Sequence, residues 1–567
     1  MSYNDTRLLS RKKKGVYMSK IKIFSLGGLN ENGKNMYVVE VDKKIYVFDA
    51  GLKYDNERNL GIDYIIPNFD YLIKNQKRIQ GIFLSHGHES NMGAIPDMVK
   101  SLKNVKVYGT KLTVELLRMD MTEEEIKLVQ FQEIKPHCKL DFGTETLFTI
   151  GMTHSIPDAI CYVLNTKDGS IVYTGDFTFD HAMTGIYKTD IGRLSYVGKQ
   201  GVLCLMCESL YAERSGYTAP NNRVEDFIRT VLLKNEHRII ATVFPSHFYR
   251  IQEIFNEVSK THRKIVIMGK SLQTIIHYAL NNRYLTLDRR VIGDLNNLED
   301  KDVVVLISDE KERPFANLER ILKGYDKYIK LKKTDTIFIT EPAYEGIEKR
   351  LAYVMDEIAM QGVNAVSLSS KKHLLHHASS EDLKLMINIM QPKYYFPVKG
   401  EYRHQFMNAE IAESLGIPKE NILLKQNGDV VTFENGVLVD TKEHIDTDEI
   451  LIDGKSSGDI GDLVLKDREM LGENGIIIIS CTLDRETKQI LAGPEVLTRG
   501  FIYVKEHLDI VEEIKTMAKK VIESNVEVGS KRIDYAKIKN DVRDVLGKYF
   551  YKSMESKPMI ITVIQEV

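Results

Sequence analysis

The stretch Gly81-Ile82-Phe83-Leu84-Ser85-His86-Gly87-His88-Glu89-Ser90-Asn91-Met92-Gly93 decides how this chain is read. An apolar run of strand character ends in two histidines at i and i+2. Two imidazoles so spaced just past a strand end point the same way and can share one metal ion. Working outward, three more polar residues stand at strand ends. His154 follows the strand expected at Thr146–Ile150, Asp176 follows Ser170–Thr174, and Asp49 closes Lys44–Asp49. Any one of them alone would be an ordinary turn residue. Together with His86 and His88, three neutral imidazoles and the carboxylate of Asp176 make a complete tetrahedral zinc set. Asp49 is expected to orient a ligand histidine from behind it.

The rest of the composition narrows the setting. With 567 residues the chain is too long for one core, and three or four units are expected. Hydrophobic content of 43% and charged content of 28% are those of a globular protein, and no apolar run reaches the length of a membrane span. A net charge of -2 argues against a generally basic nucleic-acid coat, so contact with RNA or DNA would fall to local patches. Arg11-Lys12-Lys13-Lys14 has no apolar stretch beside it and does not read as a secretory signal; it is a solvated tail or a basic arm. Met18 opens a segment that could itself start a folded domain. The five cysteines, few and odd in number, are expected as reduced thiols in the cytoplasm. Cys204 and Cys207 mimic a redox or zinc pair, but on a strand i and i+3 face opposite sides, so both are expected to be buried apolar residues. Gly28-Leu29-Asn30-Glu31-Asn32-Gly33-Lys34-Asn35 mimics a phosphate-binding loop, yet it ends in Asn and runs into a strand where that loop needs a helix. It is expected to be a tight turn.

Strand patterns dominate from Lys20 to about residue 215: Ile21–Leu26, Asn35–Val41, Gly81–Ser85, Val105–Tyr108 and Ala159–Leu164 join those above, with helices at Asp97–Leu102 and Thr122–Val129. The texture then changes to βαβ units, with helices at Val224–Leu233 and Tyr249–Ser259 and strands at Arg238–Phe244, Lys264–Met268 and Val303–Ser308. Helix Leu383–Met390 and strand Tyr394–Val398 follow. Thr441-Lys-Glu-His-Ile-Asp-Thr-Asp448 is the best linker candidate. Past it lies a small α/β unit with strands Gly475–Cys481, Phe501–Val504 and Met559–Ile564 and helices Val511–Ser524 and Tyr535–Phe550.

On these motifs the chain resembles the ribonuclease J family, the β-CASP branch of the metallo-β-lactamase superfamily, over nearly its whole length. The landmarks are Leu26-Gly-Gly28, Gly33-Lys-Asn-Met-Tyr-Val-Val39, Phe48-Asp-Ala-Gly-Leu52, Leu84-Ser-His-Gly-His-Glu89, Thr153-His-Ser-Ile-Pro-Asp158, Tyr173-Thr-Gly-Asp-Phe177, Leu383–Met390, Phe396-Pro-Val-Lys-Gly-Glu-Tyr-Arg403, Gly493-Pro-Glu495 and Arg499-Gly-Phe501. The resemblance implies an α/β chain: a metallo-β-lactamase αββα sandwich with an inserted β-CASP α/β domain and a small C-terminal α/β oligomerisation domain. The corresponding division is a basic tail at 1–19, the β-lactamase domain at 20–216, the β-CASP domain at 217–376, a return segment at 377–440, a linker at 441–460 and the C-terminal domain at 461–567. It also implies 5′→3′ exoribonuclease and endoribonuclease activity in rRNA maturation and mRNA decay. In that chemistry two zinc ions about 3.5–4 Å apart polarise the scissile phosphate and supply a hydroxide.

The departures from the family pattern all fall on one side. His86, His88, His154 and Asp176 match the ligands of the first metal, and Asp176 carries a catalytic role with them. The second metal's ligands fall on Ser90, Asn91 and Lys399. The phosphate-gripping His-x-Ser-Gly-His becomes His373-Leu-Leu-His376-His377, which leaves His373, His376 and His377 as RNA phosphate contacts, with His377 assisting catalysis. The glycine-rich phosphate loop becomes Ser308-Asp-Glu-Lys-Glu-Arg-Pro314. The pattern implies a paralogue of the catalytically weak type: a weakly active or inactive subunit that binds RNA and supports an active ribonuclease J, as a hetero-oligomer or homodimer through its C-terminal domain, in the cytoplasm or in an RNA degradosome, with no membrane contact. The alternative is a single-zinc ribonuclease working alone. A small-molecule hydrolase would need far less chain. Lys399 puts a positive charge where the second zinc would sit, so at most one zinc is expected, loosely held. Equally, Lys399 could pair with Asp176 in a metal-free site.

Overall fold

Most strand residues in the first half of the chain are buried, and some strands are buried on both faces throughout, as in Met36–Val41 and Val202–Glu208. Strands read this way only when each face of their sheet is covered. The computed structural model describes residues 19–54, 61–294, 302–309, 314–344, 346–439, 442–454, 456–457, 462–501, 508–526 and 533–567. They fall into two units, one holding residues 19–54 and 63–452, the other 453–567 with Gly61 and Ile62. The basic run Arg11–Lys14, residues 310–313 of the charged loop and all but Phe501 of the strand expected at Phe501–Val504 lie outside the described residues.

In the first unit an eight-stranded sheet runs in the order Val437–Val439, Val431–Glu434, Lys20–Gly27, Met36–Val41, Lys44–Phe48, Ile79–Phe83, Val105–Thr110, Val129–Ile134. A six-stranded sheet runs Tyr394–Val398, Val202–Glu208, Gly169–Tyr173, Ile160–Thr166, Thr146–Gly151, Lys139–Asp141. Alternate residues of the two sheets meet in one core, with Ile23, Val39, Tyr46 and Phe83 on one side and Tyr162, Ile171, Cys204 and Phe396 on the other. The outer faces pack on helices. Phe24, Val47 and Ile82 meet Met98, Leu102 and Leu116, while Val172, Leu205 and Cys207 meet Leu194, Leu383 and Met386. This is the expected αββα sandwich. Cys204 and Cys207 lie on opposite faces of one strand, both fully buried.

A third sheet, all parallel, has the order Lys264–Met268, Val303–Ser308, Ile239–Val243, Thr336–Ile339, Asn364–Ser367. Helices Glu225–Lys234, Phe248–Ser259 and Lys270–Asn281 alternate with its strands, as βαβ crossovers require. The second unit is a three-stranded sheet, Ile490–Arg499, Ile476–Leu483, Met559–Glu566, with helices Leu508–Ser524 and Tyr535–Met554 against the Ile477, Ile479, Cys481 and Leu483 face.

Three elements differ from expectation, the first being that the C-terminal sheet takes Ile490–Arg499, a run not read as a strand, as its third member. The helix expected over Thr122–Val129 stops after Glu123–Ile126, because Val129 starts a strand that pairs in parallel with Val105–Thr110. The linker expected at 441–460 contains strand Ile450–Asp453, whose Ile450–Ile452 register against Ile66–Tyr64. Gly28–Asn35 is a turn between strands, and Lys34 within it is buried against Glu31 (3.3 Å) and Glu449 (2.6 Å), with no phosphate-loop geometry. Among the described residues no helix is long and apolar enough to cross a membrane.

A candidate metal centre

The site is assembled from strand ends. Ile79–Phe83 runs into Ser85, His86 and His88; Thr146–Gly151 into His154; Gly169–Tyr173 into Asp176; Val202–Glu208 ends on Glu208; and Tyr394–Val398 runs into Lys399. The last three are parallel neighbours, so their carboxyl ends lie side by side. Thr178 N–H donates to Thr153 O (3.0 Å), which ties the His154 and Asp176 loops together. Gly175, at φ +61°, lies so close to Ser85 that a Cβ there would sit 2.9 Å from the Ser85 Cβ. At Gly51 a Cβ would fall 1.7 Å from the Ser90 carbonyl oxygen, so only glycine allows these loops to meet.

His86 Nε2 lies 3.1 Å from His88 Nδ1, which lies 3.2 Å from His154 Nε2. Asp176 Oδ2 is 3.4 Å from His86 Nε2 and 3.9 Å from His154 Nε2. All four donor atoms lie within 4.8 Å of one another. The edge of a tetrahedral zinc shell with ~2.0–2.1 Å bonds is roughly 3.3 Å, so the donor set fits one zinc ion. The tautomers suit it too. Ser85 Oγ donates to Asp49 Oδ2 (2.8 Å) and accepts from His86 Nδ1 (2.9 Å), leaving the His86 Nε2 lone pair free. His154 Nδ1–H donates to the His376 carbonyl (2.8 Å), with the same result at its Nε2. Burial, and then the neighbouring His86, push the His154 imidazole well below its ordinary pKa, so it is neutral as a ligand must be.

The second position offers no such set. Ser90 Oγ donates to Asn91 Oδ1 (2.7 Å), and Asn91 Nδ2 donates to Asp49 Oδ2 (2.7 Å). Asp49 also accepts from Ser85 N–H (2.7 Å) and Tyr173 OH (2.6 Å). A hydroxyl and an amide, with the Asp49 carboxylate as acceptor, thus close a satisfied network where a second cation would need further carboxylates or imidazoles. Lys399 Nζ is in direct contact with Asp176 Oδ2. Burial alone would raise Asp176, but the Lys399 ammonium and then His86 outweigh it and hold the carboxyl well below its usual range.

The sequence-derived histidines separate. His377 reaches the cluster: its ring centroid is 5.5 Å from that of His154, and its Nδ1–H donates to Glu208 Oε2 (2.8 Å). Asp176, Glu208 and His377 form a second group with donor atoms within 4.8 Å. His376 meets His154 through its carbonyl and, edge to face, through its ring (centroids 6.5 Å); that buried ring also lies against Tyr249 (5.1 Å) and His247 (5.4 Å). His373 sits on Phe227 (5.1 Å) and accepts from Ser369 N–H (3.1 Å). Sequence reasoning missed Glu208, which also accepts from Phe177 N–H (2.6 Å). Its signal was present: a carboxylate at the end of an unbroken apolar strand, the mark that singled out Asp49 and Asp176. It also missed two buried pairs beside His376, both 2.6 Å: Arg250–Glu253 within one helix, and His247–Glu341, which joins distant segments.

Comparison with known proteins bears on the family and the fold. Family models match in four places: the metallo-beta-lactamase superfamily at residues 29–201, the ribonuclease J beta-CASP domain at 236–358, the Zn-dependent metallo-hydrolase RNA specificity domain at 363–419 and the ribonuclease J C-terminal domain at 463–567. The chain is 35% identical over 551 residues to a protein named ribonuclease J 2 from Staphylococcus aureus strain MRSA252, covering 96% of this chain and 98% of that one. A namesake from Staphylococcus epidermidis strain ATCC 35984 matches at the same identity and coverage. A crystal structure of a protein of unknown function from Enterococcus faecalis V583 has a TM-score of 0.51 at 15% identity, covering 73% of this chain and all of that one, a likeness of fold alone.

Proposed function

The chain belongs to the ribonuclease J family, and from that premise we propose that it is an RNA-processing subunit of weak or lost hydrolytic activity that supports an active ribonuclease J. The observation that carries this reading is the asymmetry of the pocket. His86, His88, His154 and Asp176 form a complete donor set, whereas the uncharged side chains Ser90 and Asn91 close a hydrogen-bonded network on Asp49 and Lys399 holds Asp176. At most one zinc ion is proposed, held by His86 Nε2, His88 Nδ1, His154 Nε2 and Asp176. Bound there, it would polarise a phosphodiester oxygen and lower the pKa of a water. Losing the second ion should cost several kcal/mol of transition-state stabilisation, and therefore orders of magnitude in rate.

The chain's own residues supply the remainder. Asp49, through Ser85, fixes the ring of His86; the His376 carbonyl fixes that of His154. Glu208 fixes His377 with its Nδ1 protonated, leaving Nε2 to take a proton from water or give one to a leaving oxygen. His377 is the phosphate and proton-transfer contact we favour, with His373 as an outlying contact; the ring of His376, expected to join them, is buried against Tyr249 and His247 and does not reach the surface. We place the protein in the cytoplasm, joined through residues 461–567 to itself or to an active paralogue, with a degradosome as a further setting.

The kept donor set and the Glu208–His377 pair favour a second reading, a slow single-zinc ribonuclease that needs no partner. Assaying 5′-monophosphorylated RNA separates the two. The chain alone, a mixture with an active paralogue, and both with Asp176→Ala would be compared. Support of the partner that survives Asp176→Ala favours the first reading; turnover by the lone chain that the substitution abolishes favours the second.

A further inference from the structure

We infer that the Lys399 ammonium is the pocket's resident cation: it neutralises Asp176 in place of a metal, so this chain keeps its ligand cage assembled without zinc, and zinc enters only by displacing Lys399. The inference rests on the one-ion reading above and goes further, from how many ions the site accepts to what holds it together.

Three observations carry it. First, the contact is buried on both sides, Lys399 being 4% and Asp176 2% exposed. A buried carboxylate is costly unless hydrogen-bond donors or a counter-charge meet it, and a buried ammonium is costly without an anionic partner. Each here is the other's partner. Second, the ammonium is delivered by fixed backbone. Lys399 sits at φ +58°, a conformation uncommon outside glycine. Its N–H donates to Gly28 O (2.9 Å), and the next N–H, of Gly400, donates to Glu31 O (3.0 Å). The strand before it is registered in parallel on Val202–Glu208. Third, the contested atom is a single oxygen. Asp176 Oδ2 faces Lys399 Nζ, His86 Nε2 and His154 Nε2 together. An ion seated among the imidazoles would need that oxygen, and would stand against a like charge in a site of low dielectric. The Ser90–Asn91–Asp49 network beside it is satisfied without any cation.

The test uses the full chain and zinc ion alone as the probe. Melting temperature would be followed after chelator washing and after refilling with zinc, and zinc affinity measured by equilibrium dialysis. For the unsubstituted chain, chelation should leave the melt unchanged. Lys399→Met removes the charge at similar length; it should bind zinc about 10–100-fold more tightly, the range over which a group beside a ligand tunes metal affinity. Its melt should become chelator-sensitive. Lys399→Arg, which keeps the charge, should behave as the unsubstituted chain. The inference fails if chelation lowers the melt of the unsubstituted chain, or if Lys399→Met binds zinc no more tightly. Should Lys399→Met not fold even with zinc, the effect of chelation on the unsubstituted chain and on Lys399→Arg decides alone: no change supports, a fall overturns. RNA turnover, the test of the function itself, can come out either way without moving these melts.

Discussion

The fate of single residues in the pocket turns on what burial does to charge. His154 and His376 are both buried, and burial pushes each well below the ordinary histidine pKa of 6.5. The sign of the consequence is fixed. Below about pH 6.5 the unfolded chain takes up protons at these positions and the folded chain does not, so stability falls as pH falls. Each such proton contributes up to about 1.4 kcal/mol per pH unit. Urea unfolding should therefore show a midpoint that drops between pH 7 and pH 5. His376→Leu, whose ring nitrogens have no hydrogen-bond partner among the described residues, should make that drop shallower. A slope that is the same in both proteins would contradict this. The clustering of His86 and His88 was legible in the sequence because i and i+2 at a strand end is a local pattern. Glu208 was equally local, yet it gained meaning only when His377, far along the chain, came to rest against it.

Among elements, the helix Ser380–Met390 shows how one side chain can hold a site it does not touch. Asp382, in its first turn, accepts from Ser379 N–H (3.1 Å), Thr218 N–H (2.9 Å) and Phe179 N–H (2.8 Å). It thereby ties the helix start to the loop that follows Asp176. Asp382→Ala would leave three buried N–H groups without their acceptor, at about 1–3 kcal/mol for each that finds no substitute. The expected result is a lower urea midpoint together with weaker zinc binding. If only the midpoint moves, the helix start and the metal loop are independent. The hydrophobic period marked this helix and the βαβ strands well. It failed at Thr122–Val129, where a helix-like run of charges and aliphatics was claimed at Val129 by pairing with Val105, a long-range bond that no local window contains.

At the scale of the molecule, the second unit considered by itself has a sheet face on which, among the described residues, apolar side chains stay exposed. Ile477 and Ile479 face the helices, so Ile478 faces the other way; its register partners are Leu497 on one side and Ile561 on the other. Leu497 is 46% and Ile561 41% exposed, an apolar row of the kind subunit interfaces cover. If residues 461–567 join this chain to itself or to an active paralogue through this row, Leu497→Lys with Ile561→Lys should shift the assembly to monomer in light scattering while the melt of the rest is kept. An unchanged assembly mass would place the interface elsewhere.

The sequence by itself determined the pieces whose cause is local: two histidines at a strand end, apolar strands buried on both faces, βαβ alternation, the missing second ligand set. Family likeness joined them, because the order of the motifs along the chain is itself a sequence property. Only the tertiary structure decided which charges meet. Lys399 lies 223 residues from Asp176, and whether it faces a metal, a phosphate or a carboxylate depends on two parallel strand ends being brought side by side. Coulomb energy in a buried pocket changes steeply with a few ångströms, and separation along the chain does not specify distance in space.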